Sequence, residues 1–137
     1  NMKEFGAVLG WFIFACLVFT VLNFFVKRIN KKWIAPLPAD SKTKSIYGPF
    51  MKLIVKNHRY AGIGAGVIAL THIIVQITGM YASVPGIIAC TLLVCTVILG
   101  CVMYFGHKPK LIKIHRAMAF ASAAAVIVHL IFIAATE

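Results

Sequence analysis

The sequence predicts an all-α integral membrane four-helix bundle with both termini on the outside. Three observations predict it. Of 137 residues, 61% are hydrophobic and only 12% charged, a balance that water would not keep in solution. Four windows are long and apolar enough for a bilayer core of about 30 Å, which takes roughly 20 residues of helix. The charge is one-sided, with fourteen Lys and Arg against Glu4, Asp40 and Glu137, for a formal net charge of +11. A nucleic-acid partner is excluded because the cations lie between apolar runs rather than on a polar domain.

The first span covers about residues 5 to 28. It runs without a charge from Phe5 to Val26 and closes on Lys27 and Arg28. It is too long for a cleavable signal peptide and lacks a basic segment or small-residue cleavage site. A basic cytoplasmic loop follows at about 29 to 52, where Pro36, Pro38, Gly48 and Pro49 indicate an irregular connector. Residues 51 to 57 can add an interfacial helical turn before the second span.

The second span, about 53 to 80, is interrupted by His58, Arg59, His72 and Gln76. The third, about 84 to 106, places Pro85 where a first-turn proline is tolerated. The fourth, about 112 to 135, carries His115, Arg116 and His129 among alanines, valines and isoleucines.

Cytoplasmic loops retain Lys and Arg, which sets the orientation. Thirteen of the fourteen cations lie around the two connections that follow spans one and three, and only Lys3 lies at the other end. The connection from Ile77 to Gly86 has no charge and belongs outside. Spans two and four therefore run parallel, from inside to outside. The expected location is a bacterial cytoplasmic membrane, crossed several times.

Four of the five histidines form a repeat. His58-Arg59 is followed after twelve residues by His72, and His115-Arg116 after twelve residues by His129. Fourteen residues of helix rise about 21 Å, so each span holds one histidine near each membrane face. Fourteen is also four turns at 3.5 residues, so both can face one seam of a left-handed bundle. In parallel spans His58 shares a depth with His115, and His72 with His129.

Intramembrane ionisable residues are costly and mark functional paths. Two imidazoles facing across the thickness of a flat macrocycle suit a six-coordinate haem iron, whose other four ligands are porphyrin nitrogens. Two b haems between the second and fourth helices are the expected cofactors. The spacing disfavours one zinc ion, since ligands about 21 Å apart cannot share a metal bound at roughly 2 Å. The plainer alternative is that histidines and small residues serve helix packing.

Neighbouring residues agree with haem. Small residues occupy the same two offsets in both copies, with Gly62 and Ala65 four and seven residues beyond His58, and Ala119 and Ser122 likewise beyond His115. Arg59 and Arg116 follow the inner histidines, where haem propionates need cations. Ile68 and either Ile127 or Phe120 are candidate walls for the porphyrin edges. His107 reads as an interfacial residue. Cys16, Cys90, Cys95 and Cys101 read as small buried hydrophobes, since neither CxxC nor CxxCH occurs.

Two helices bearing H-x13-H, separated by one span, resemble the membrane di-haem b-type cytochromes. The likeness is to the haem core of ferric reductases and NADPH oxidases and to the four-helix haem bundle of respiratory cytochrome b, over about residues 53 to 135. It implies that His58 and His115 ligate an inner haem, and His72 and His129 an outer one. No FAD or NADPH domain follows the fourth span here, and the quinol-site signature beyond the respiratory bundle has no counterpart.

The expected function is transmembrane electron transfer, from a cytoplasmic or quinol donor to an external acceptor. Expected partners are the lipid bilayer, a redox protein or quinone, and anionic lipid at the basic loop. The alternatives are a membrane oxidoreductase subunit of a larger complex, reducing quinone or ferric iron, and a non-redox haem-carrying or structural bundle.

Overall fold

A computed structural model describes residues 1–137, all but the two terminal residues in or between four helices. The helices are α1 (Met2–Ile29), α2 (Lys42–Thr78), α3 (Val84–Phe105) and α4 (Ile112–Thr136). Each is long and apolar enough to cross a membrane, consistent with a multi-pass membrane protein. Only 14 of 137 residues are buried, and large apolar side chains such as Trp11, Phe12, Ile74 and Ile131 face outward on all sides. In water so large an exposed apolar surface would aggregate; in lipid it is the solvated surface.

Local chemistry explains most helix ends. Asn1 caps α1, its Oδ1 accepting from the Lys3 N–H at 2.9 Å. Ser83 caps α3 in the same way through Gly86 N–H at 3.2 Å, with Pro85 in the first turn, where its missing donor costs nothing. Helices α2 and α3 both end on glycine, Gly79 and Gly106, followed by a residue with positive φ, Met80 at 60° and His107 at 52°. A short 3-10 turn, Pro109–Leu111, leads into α4.

The expected loop at 29–52 is mostly helical and needs correction. The chain continues from α1 through a π-helical turn, Asn30–Ile34, closed by Ala35 N–H to the Asn30 carbonyl at 2.7 Å. Helix α2 then begins at Lys42, eleven residues ahead of the expected start, and carries Pro49 inside it. A proline there removes one helical hydrogen bond. Tertiary ties hold the segment: Tyr47 Oη donates to the Val26 carbonyl at 2.6 Å, and Lys44 Nζ donates to the carbonyls of Ala35 and Leu37 at 3.2 Å each.

Consecutive helices pack side by side as antiparallel neighbours, and α1 also touches α4. Helices α2 and α4 stand on a diagonal, with no Cα of one within 8 Å of a Cα of the other. They run in the same direction. The connectors 30–41 and 106–111, with their cations, lie at one end of the bundle, called the basic end below.

The gap along the diagonal is filled only at its middle. Ile13, Leu17, Ala69, Ala89, Leu93 and Val126 form the buried apolar cluster of the bundle. Leu93 faces both of the cavities that open above and below this cluster.

Candidate functional site

The cavity at the basic end measures about 380 Å³ and receives His58 from α2 and His115 from α4. The two ring centroids are 6.3 Å apart and the ring planes lie at 87°. His58 Nδ1 lies 3.1 Å from the Thr20 carbonyl on α1. A carbonyl can only accept, so Nδ1 carries the proton and Nε2 keeps its lone pair. His115 Nδ1 is buried without a hydrogen-bond partner, the Thr96 backbone on α3 being the main-chain group that faces it.

All six neighbouring residues singled out in the sequence line this same cavity: Arg59, Gly62, Ala65, Arg116, Ala119 and Ser122. Ala65 and Ser122 are almost wholly enclosed. The Ser122 hydroxyl has a structural partner, standing 2.9 Å from Thr96 Oγ1 and donating to the Met118 carbonyl at 2.8 Å. It therefore fastens α4 to α3 while keeping the cavity wall low.

The two arginines sit on aromatic rings. Arg59 Cζ stands 4.3 Å from the Tyr104 ring centroid and 5.0 Å from that of Tyr60, whose hydroxyl accepts from its guanidinium at 3.2 Å. Arg116 Cζ lies 5.5 Å from the Phe24 centroid. Stacking positions both guanidiniums at the cavity edge and leaves N–H donors for an anion. Neither is paired with a carboxylate; the ion pair of the chain joins Lys3 and Glu137, 3.6 Å apart, at the opposite end.

The second cavity, about 720 Å³, lies toward that opposite end and receives His72 from α2 and His129 from α4. His129 Nδ1 is 3.5 Å from Ser83 Oγ. His72 Nδ1 is buried and unpartnered, facing the Gly6 backbone on α1. The four histidines thus divide into the two pairs that their spacing implies, one pair per cavity. No group of three or more His, Cys, Asp or Glu converges anywhere; the imidazoles meet two at a time.

Helices α1 and α3 contribute residues that sequence reasoning missed. A Cβ on Gly100 would stand 2.9 Å from His115 Cε1, and one on Gly86 would stand 2.8 Å from His129 Cε1. Real Cβ atoms do not approach so closely, so glycine at both positions is what lets the rings come this near to α3. On α1 a Cβ on Gly10 would meet His72 Cε1 at 3.4 Å, an ordinary contact. The signal was present in the spacing. Gly86 and Gly100 are fourteen residues apart, matching the histidines, and the Gly-to-Thr separation from Gly10 to Thr20 recurs from Gly86 to Thr96.

Other expectations need revision. Phe120 lines the basic-end cavity and stacks on Phe24 at 5.3 Å, but Ile68 and Ile127 line neither cavity: Ile68 packs against the core and Ile127 faces outward. Cys95 is exposed on the apolar surface rather than buried, because α3 turns that face away from its neighbours. Cys101 and Cys90 line the two cavities, and Cys90 Sγ donates weakly to the Ala69 carbonyl at 3.5 Å. His107 is exposed in its turn and lines neither cavity.

No family model, curated protein or solved structure matches the chain.

Proposed function

We propose that this chain is a membrane di-haem b-type cytochrome that moves electrons across the bilayer, resembling the ferric reductase and respiratory cytochrome b cores. The observation that carries the reading is the gap between α2 and α4. It opens into two cavities on one diagonal, each facing one histidine of either helix. Packing alone does not require two diagonal helices to hold pairs of imidazoles apart.

The residues fit a haem. Metal–imidazole bonds of about 2 Å on opposite sides of one ion put ring centroids roughly 6 Å apart, and His58 and His115 stand at 6.3 Å. The Thr20 carbonyl holds His58 in the tautomer that offers Nε2. His58 and His115 would hold one haem, His72 and His129 the other, with Arg59 and Arg116 meeting propionates at the basic end. Bound haem iron supplies a centre that takes up and returns a single electron.

The chain does the rest. Gly62, Ala65, Ala119 and Ser122 keep the cavity walls low enough for a flat macrocycle. The apolar cluster between the cavities keeps water from the middle of the path. Held by two histidines each, the haems would relay electrons and would leave no coordination position for substrate. The excess of cations at one end supports a basic cytoplasmic face with both termini outside, in the manner of a multi-pass protein of a bacterial cytoplasmic membrane. On that orientation the donor is cytoplasmic or a quinol, and the acceptor is external.

The test is a redox-titrated visible spectrum of the purified protein, expected to show sharp reduced b-type bands from about two haems per chain. A stably folded, haem-free protein would overturn the reading.

A further inference from the structure

The cavity at the basic end carries more positive charge than one haem can neutralise. Lys27 from α1, Lys56 and Arg59 from α2, and Arg116 from α4 all line it. No carboxylate does. Glu137 is engaged with Lys3 at the opposite end, Glu4 lies in the first turn of α1, and Asp40 stands in the connector. Along α1 the 23 residues from Glu4 to Lys27 correspond to about 35 Å. None of the four cations is paired with a carboxylate of the chain.

The same wall holds a second unsatisfied group. Asn23, one turn before Lys27, has a buried Oδ1 with no hydrogen-bond partner. Its Nδ2 likewise bonds to no protein group and is the donor that this side chain offers the cavity. The two carboxylates of a haem, met by Arg59 and Arg116, would leave Lys27, Lys56 and Asn23 unmatched. Two positive charges and an amide donor suit a compact dianion.

We infer that Lys27, Lys56 and Asn23 form a binding site for a phosphate group at the mouth of the basic-end cavity. The group belongs either to a soluble phosphate ester or to the headgroup of an anionic lipid. The inference rests on the proposed haem reading only for the charge assigned to Arg59 and Arg116.

The experiment uses the full chain as purified, in nanodiscs of phosphatidylcholine, with thermal unfolding followed while inorganic phosphate is added at constant ionic strength against chloride. Ligand binding to the folded state raises Tm in a saturable way. Phosphate should do so, and chloride should not. The double variant Lys27→Gln/Lys56→Gln should weaken the apparent phosphate affinity about tenfold or more. Lys31→Gln/Lys32→Gln removes two charges from the same end without touching the cavity and should leave that affinity unchanged.

Nanodiscs containing phosphatidylglycerol separate the two sources. If the lipid headgroup is the occupant, these discs raise Tm by themselves and abolish the response to added phosphate, and both effects disappear in the Lys27/Lys56 variant. If a soluble ester is the occupant, the phosphate response survives in them. Absence of a saturable response in both kinds of disc, or equal loss in the Lys31/Lys32 variant, would overturn the site. Loss of haem reports on the proposed function instead, because unfolding can be followed with or without it.

Discussion

The ring centroids of His58 and His115 stand 6.3 Å apart across two helices whose Cα atoms nowhere come within 8 Å of each other. Side chains alone bridge that distance, in a cavity where Gly62, Ala65, Gly100 and Ala119 leave room for them. Removing either ring should therefore have the same effect. His58→Ala and His115→Ala should each lower the haem-to-protein ratio from about two to one, and the surviving haem should be the same in both. His72→Ala and His129→Ala should remove the other. The pyridine haemochrome content and the redox titration of each variant check the pairing, and a pattern that crosses the pairs would reject it.

Gly100 and Gly86 make a separate prediction. Alanine at either position puts a methyl group against a histidine ring at under 3 Å. Overpacking of this kind costs about 1–3 kcal/mol. Gly100→Ala should broaden or shift the signals of the haem at the basic end alone, and Gly86→Ala those of the other. Gly48→Ala and Gly64→Ala, where a Cβ would meet nothing within 4 Å, serve as controls. Low-temperature optical and electron paramagnetic resonance spectra read the outcome.

Ser122 is the most enclosed polar side chain in the bundle. Ser122→Ala leaves Thr96 with one fewer partner and should cost about 1 kcal/mol of stability while keeping both haems. Ser122→Leu instead fills the cavity wall and should displace the haem at the basic end. A Tm shift with intact haem content in the first variant, and haem loss in the second, separate fastening from clearance.

Tyr47→Phe removes the hydroxyl that holds the first turns of α2 against the end of α1. The loss should be about 1 kcal/mol. Haem content should be unaffected, since Tyr47 lines neither cavity. Amide hydrogen exchange should rise in residues 42–52 and not in 58–72.

Met80→Gly and His107→Gly should each stabilise the protein. Both residues sit at positive φ, which costs a non-glycine residue roughly 1–2 kcal/mol. Glycine relieves that strain and gives back part of the gain as chain entropy. An unchanged or lowered Tm in both variants would show that their side chains contribute more than the backbone loses.

The four helices and the pairing of histidines were legible because each follows from a period. Apolar length marks the spans, and the fourteen-residue interval fixes which histidines share a depth. The 42–52 segment was not legible. Gly48, Pro49 and a run of lysines argue for a loop, and the opposing information lies in a hydrogen bond from Tyr47 to a carbonyl 21 residues away. Gly86 and Gly100 escaped notice for another reason. Glycine is common in membrane helices, so its spacing gains meaning only once α3 is known to lie against the histidines of α4. Ile127 was misplaced because its offset from His129 does not tell which side of α4 a neighbour will cover.

The diagonal arrangement also determines what each half of the molecule can do. One hairpin, α1 with α2, owns His58 and His72; the other, α3 with α4, owns His115 and His129. Neither holds a complete pair, yet each brings a partner for one of its own rings, the Thr20 carbonyl at 3.1 Å from His58 Nδ1 in one and Ser83 Oγ at 3.5 Å from His129 Nδ1 in the other. The molecule is in effect a heterodimer whose two subunits happen to be joined through the turn at 79–83. Each histidine pair spans that seam, so a cofactor held between its rings, as proposed, would clasp the two halves together.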